Sequence, residues 1–154
     1  MLPIIILNYF KQLFFEVNST LTKYNNDSSY GTVDNLTTLE QVDDAAYTSD
    51  KTCRMPTKAD LEELTDNTTS TWETLNGVNG RRFTSKTNGN SIFVPAAGHC
   101  SIGSVFGVGS LCYLWSSSLY ESNPCIGWDL YFSSSSMDVN NGNRCIGFTV
   151  RAVL

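Results

Sequence analysis

Apolar positions along this chain change their spacing near its middle. Between Thr38 and Thr48, Leu39, Val42 and Ala46 recur at the spacing of one helical face, and Thr38 followed by Gln41 has the form of a capping box. A second helix is predicted from Thr57, which can cap, with Asp60 three residues on and Leu61 and Leu64 as its apolar stripe. Asp60, Glu62 and Glu63 would then sit near the positive end of that helix dipole. Past Asn67 the spacing shortens to that of strands and turns. Asn79-Gly80 and Asn88-Gly89 are turn signals because both residue types tolerate positive φ. The second of them separates "RRFTSK" from "SIFVPA", which predicts a hairpin.

The stretch "PAAGHCSIGSVFGVGS" is rich in small residues and reads as a loop packed closely against other backbone. Strict alternation returns after it. Trp128, Leu130 and Phe132 fall on one face of a strand, and Asp129, Tyr131 and Ser133 on the other. Met137 and Val139 then face inward, and Asp138 and Asn140 outward. Asn141-Gly142 offers the next turn, and "RCIGFTVRAV" follows as a closing strand. Helices precede strands without βαβ alternation, so the predicted class is α+β with a mainly antiparallel sheet.

The 154 residues suffice for one domain. Net charge is −5 with 16% charged residues, which leaves no basic patch and argues against nucleic acid as a partner. The start, "MLPIIILNYFKQLFF", is too short and too interrupted to span a bilayer, so no transmembrane span is expected. Residues 1–20 form an apolar segment whose role stays open between an export signal and an element packed on the domain. The five cysteines have no metal-ligand spacing, and His99 is the sole histidine. Without a Gly-x-Ser-x-Gly elbow or a second histidine, no catalytic set, metal or cofactor is predicted. Asp129, Asp138, Asn140 and Asn141 offer calcium-type oxygens, but a solvated face is the better explanation of them. Trp115 and Trp128 read as core, the serines of "WSSS" as partners of backbone groups, and Arg144 and Arg151 as donors to backbone carbonyls. Asp43 and Asp44 are alternative partners for those arginines.

Four segments in order, "DDAAYTSDKTCRMPTKADLEEL", "NGVNGRRFTSKTNGNSIFVPAAG", "WSSSLYESNP" and "NNGNRCIGFTVRAV", resemble the major paralogous domain common in gut bacteria. That family is a branch of the C-type lectin fold related to formylglycine-generating enzymes. The resemblance implies a C-type lectin-type domain over residues 21–154, with two short helices, a mainly antiparallel sheet and long loops. Its nearest likeness is to variable proteins of diversity-generating retroelements, whose 3′ coding end is rewritten at adenines. From Leu111 onward the chain holds no Lys, Gln or His and three of the five cysteines, as such rewriting would leave it.

The resemblance further implies a ligand-binding variable region of about 111–148. It would carry Leu111, Tyr113, Leu114, Tyr120, Cys125, Ile126, Asp129, Tyr131, Ser133, Ser136, Asp138, Cys145, Ile146 and Phe148 on one solvent-facing surface. Trp115, Trp128, Leu130, Met137, Arg144, Gly147 and Arg151 match the scaffold. Tyrosines supply contact area at low entropic cost, and Ser and Asn supply adaptable hydrogen bonds, as in antibody paratopes. The implied function is non-enzymatic recognition of a cell-surface protein or glycan, from a cell surface, a secreted form or a phage particle. A fixed cell-surface or pilus-associated adhesin of the same fold is the alternative.

Overall fold

The computed structural model describes residues 20–154; the apolar start, residues 1–19, lies outside that range. Two helices, α1 (Ala45–Ser49) and α2 (Lys58–Asn67), precede eight strands. Strands β1 (Thr68–Leu75), β2 (Val78–Ser85) and β3 (Ser91–Pro95) form one antiparallel sheet in chain order. Strands β4 (His99–Ser101) and β5 (Ser104–Phe106) form a short hairpin. Strands β6 (Cys112–Leu119), β7 (Ile126–Phe132) and β8 (Met137–Asn143) form a second three-stranded antiparallel sheet. The class is α+β, as the order of helical and strand spacing predicts.

The start of α2 is set by the predicted residues. Thr57 Oγ1 accepts from the Asp60 amide at 3.2 Å, and the Asp60 carboxylate accepts from the Thr57 amide at 2.7 Å. Leu61 turns inward and is buried. Helix α1 starts later than the spacing of Leu39, Val42 and Ala46 predicts. Its cap is Asp44, whose Oδ1 accepts from the amides of Ala46 (2.8 Å) and Tyr47 (3.0 Å), while Oδ2 accepts from Met55 (2.8 Å). One carboxylate satisfying three N–H groups outweighs a Thr38 cap, and the backbone at Thr38 forms an antiparallel bridge with Ser118 instead. Val42 is left outside the helix and 72% exposed.

Two of the predicted turns move. The β1–β2 reversal uses Asn76 and Gly77, both left-handed at φ 51° and 80°, and Asn79-Gly80 lies within the β2 ladder. Gly80 is required by close approach, since a Cβ there would overlap the Val94 carbonyl oxygen on β3. Asn88-Gly89 does lie in the β2–β3 connection, with Gly89 at φ 73°. Asn141-Gly142 falls inside β8, and the chain turns at Arg144–Cys145. The segment after it forms no continuous strand. It is held by single bridges, Cys100 with Gly147, Leu114 with Thr149, and Arg54 with Val153. The small-residue stretch is more ordered than a loop, because it contains the β4–β5 hairpin.

Both faces of the β6–β7–β8 sheet contribute to the core, the second only around Trp115 and Phe148. One meets α2 and the first sheet, where Leu114, Leu130 and Phe132 join Leu61, Phe83 and Val94. The other meets α1 and the closing segment, where Trp115 joins Ala46, Met55, Phe148 and Val150. The alternation across β7 and β8 holds, with Met137 and Val139 packed beside Leu130. Trp115 is buried as predicted, whereas Trp128 is half-buried under the Lys58 ammonium, 3.9 Å from its ring centre. Ser116 donates to the Trp128 carbonyl at 2.8 Å, and Ser118 Oγ accepts from the Lys58 amide at 3.1 Å, the backbone service expected of these serines. Arg144 donates to the carbonyls of Tyr24 and Pro124. Asp43 pairs instead with Lys23 and Tyr24, and Asp44 caps α1.

Candidate ligand-binding face

Antiparallel register places cross-strand neighbours on a common face, and the β6–β7–β8 sheet therefore builds two mixed rows. Tyr113, Tyr131 and Asp138 make one row; Trp115, Asp129 and Asn140 make the next. Gly127 and Gly142 lie opposite each other beyond them. The Tyr113 and Tyr131 rings stand 5.0 Å apart and tilted, both half-buried, while Asp138 and Asn140 are exposed. Phe148 folds back over this face. Its ring stacks on Tyr113 at 4.6 Å and on Trp115 at 4.3 Å. Gly142 makes that possible, because a Cβ at this position would stand 2.8 Å from Phe148 Cε2 and 3.2 Å from Asp129 Oδ2.

Asp129 is the chemically unusual member. It is 2% exposed, and no hydrogen-bond partner reaches its Oδ1. Burial pushes its carboxyl up to about 7, because the charged form has lost water without gaining donors. The Tyr113 phenol is also raised, first by its own burial and then by the neighbouring Tyr131 and Asp129.

The fourteen residues assigned to a single binding surface do not share one. Tyr113, Asp129, Tyr131 and Asp138 occupy the face just described, and Phe148 covers it. Leu114 points the opposite way and is 2% exposed within the core around Leu130, since consecutive strand residues alternate. Asp129 and Phe148 are buried as well, so neither presents its side chain freely to solvent, and Ile126 and Tyr120 are half-buried. The Tyr120 ring lies edge-on to Trp128 at 5.2 Å. Ser133 and Ser136 form the β7–β8 connection, with their hydroxyls 2.9 Å apart. Cys125 and Cys145 belong to loops at the other end of the sheet, where the Arg144 amide donates to the Cys125 carbonyl at 3.0 Å. Ile146 packs against the α1-side core, and Leu111 is half-buried ahead of β6.

One part of the surface has no counterpart in the sequence reading. The β4–β5 hairpin and the residues after it expose Ile102 (97%), Val105 (64%), Phe106 (50%) and Val108 (67%). His99 joins this ridge to the sheet face, stacking on Phe106 at 5.6 Å and meeting Tyr113 edge-on at 5.2 Å. Four apolar side chains within seven residues were the available signal; the glycines between them pointed to a loop instead. A separate groove of about 470 Å³ lies between α2 and β3, lined by Leu61, Leu64, Ile92 and Val94, with Arg151 among its residues. Among the described residues no helix is long and apolar enough to cross a membrane. No protein-family model, no curated protein and no solved structure matches this chain.

Proposed function

We infer that this is a non-enzymatic binding protein that recognises a macromolecule on a cell surface through the Tyr113–Tyr131–Asp138 face. One observation carries the reading. A sheet whose opposite face is closed by packing presents here two half-buried tyrosines beside exposed Asp138 and Asn140, and a ridge of exposed apolar residues adjoins them. Large rings held in register by a strand ladder give contact area at small entropic cost, and an apolar ridge of this extent marks an interaction surface. Placement on a C-type lectin-type scaffold rewritten by a retroelement belongs to the same proposal and rests on the resemblance of the sequence.

Sequencing the 3′ end of sibling genes, with the DNA downstream, tests it. Differences confined to positions such as Tyr113, Tyr131 and Asp138, matched by adenines in a nearby repeat, support a diversified receptor binder. Constancy at those positions removes the retroelement origin and leaves the fixed adhesin, to be tested on protein and glycan arrays.

A further inference from the structure

The Asp129 carboxyl is a buried charge-bearing group on this face, and its Oδ1 accepts no hydrogen bond. Buried carboxylates ordinarily sit against a cation or several N–H donors. Asp129 Oδ1 has neither. The other charge on this face, Asp138, has the same sign, and the three strands place no lysine or arginine there. Two arginines bordering the sheet are engaged with backbone oxygens. Arg144 donates to Tyr24 and Pro124, and Arg81 donates to Ser133 at 2.9 Å.

Around the carboxyl stand electron-rich rings. Tyr113 and Tyr131 flank it from the adjoining row, and Trp115 is its direct neighbour on β6. A buried carboxyl beside aromatic rings is an arrangement that attracts an ammonium or guanidinium, through the ring quadrupole and through Coulomb attraction once the acid is ionised. Resting on the ligand-face reading above, we propose that this face takes up a cationic side chain, arginine or lysine, of a protein ligand, seated against the Tyr113 and Tyr131 rings with Asp129 as its counter-charge. The adjoining ridge of Ile102, Val105, Phe106 and Val108 suits the apolar side chains of a protein and offers little to a hydroxyl-rich glycan.

The proton balance gives this site a signature. Without ligand the carboxyl titrates near 7. Seating a cation favours the carboxylate, so binding expels a proton and tightens by roughly tenfold between pH 6 and pH 8. The other titratable groups around it are Tyr113 and Cys112 on β6, Tyr131 on β7, Asp138 on β8, and His99 of the hairpin, which touches both Tyr113 and Phe148.

The test is an NMR titration of the full chain with Nα-acetyl-arginine amide, Nα-acetyl-lysine amide and the neutral isostere Nα-acetyl-citrulline amide, at pH 6 and pH 8. Saturable shifts of the Tyr113 and Tyr131 ring signals are expected for both cations, with citrulline at least ten times weaker and tighter cation binding at pH 8. Asp129→Asn, with folding verified from its own spectrum, should reduce arginine to the citrulline level and abolish the pH effect. Glu121→Gln, which removes an exposed carboxylate outside the face, should retain the difference between arginine and citrulline. Equal binding of arginine and citrulline, an unchanged Asp129→Asn variant, or no saturable shift up to about 10 mM overturns the assignment. A neutral oligosaccharide that shifts the same rings where the cations do not would keep the face as a ligand site and overturn only its cation. Invariance of the face among sibling genes bears on the retroelement origin and leaves this result untouched.

Discussion

The guanidinium of Arg144 stands 3.1 Å from the carbonyl oxygen of Tyr24 and 2.6 Å from that of Pro124, joining three distant stretches of chain at one buried point. Arg144 sits in the turn after β8, Pro124 precedes β7, and Tyr24 lies near the start of the described chain. Replacing Arg144 by alanine strands both carbonyls in a dry site, and a loss on the order of 3 kcal/mol in urea unfolding is expected. Lysine should recover less than half of it, because one ammonium lacks the planar fork that reaches separate acceptors. A loss under about 1 kcal/mol for alanine would mean that water substitutes for the guanidinium.

Asp129 and Asp60 give stability opposite dependences on pH. Burial raises the Asp129 carboxyl to about 7, above its unfolded value of 3.8. Between those values the native chain holds a proton that the unfolded chain releases, so this contribution is complete below about pH 4 and is lost as pH climbs through 7. Asp60 is shifted the other way, first by the Arg54 guanidinium, which bonds it at 2.5 Å, so its contribution is present above the unfolded value and is lost on acidification. Thermal unfolding of Asp129→Asn across pH 3 to 9 should show a flattened slope between 4 and 7 with the acid limb intact. A parallel offset from the wild-type curve would mean that Asp129 does not titrate in that window.

Gly80 and Gly89 separate two reasons for glycine. At Gly80 a methyl group would overlap the backbone of Val94 and part β2 from β3, for a loss of about 2–3 kcal/mol. Gly89 has open space around it and only a positive φ to protect, so alanine there should cost about 1 kcal/mol. Chemical denaturation of the two variants settles the order. Equal losses would show that the β2–β3 ladder gives way to admit the methyl group.

Leu114 and Asp138 carry the contrast between core and face. Leu114→Ala opens a cavity beside Leu130 and should cost about 2–5 kcal/mol. Asp138→Ala, on the exposed row, should change stability by no more than about 0.5 kcal/mol. Binding of a macromolecular ligand should respond in the opposite order once the Leu114 variant is compared at a temperature where it stays folded. A stability loss at Asp138 equal to that at Leu114 would contradict the face assignment.

That contrast also marks what the sequence could reveal. Alternation through Trp128, Leu130 and Phe132 is local, and the structure keeps it. The same rule applied to β6 puts Leu114 opposite Tyr113, so grouping the two on one surface followed the resemblance at the expense of strand geometry. Phe148 gave no local warning, because its burial depends on rings at 113 and 115 and on the missing side chain at Gly142. "LNGVNG" offers two Asn-Gly pairs three residues apart, and flanking periodicity does not choose between them. The choice is made by Val94 on another strand, which demands glycine at 80 and so leaves the reversal to Asn76-Gly77. The capping box at Thr57 needed no such help, since every partner lies within one turn.

The burial of Cys112 turns the second sheet into its own stability gauge. This thiol has no exposure, and burial pushes it up to about 12, so the reactive thiolate is scarce and sealed from reagent. Cys100 and Cys145 are exposed free thiols on the same chain. Under a mild alkylating reagent, those two should be labelled at once, while Cys112 is labelled only as often as the sheet opens. Mass spectrometry of the labelled chain then reads the opening frequency of the scaffold directly, in unpurified mixtures and with any variant of the face, without denaturant.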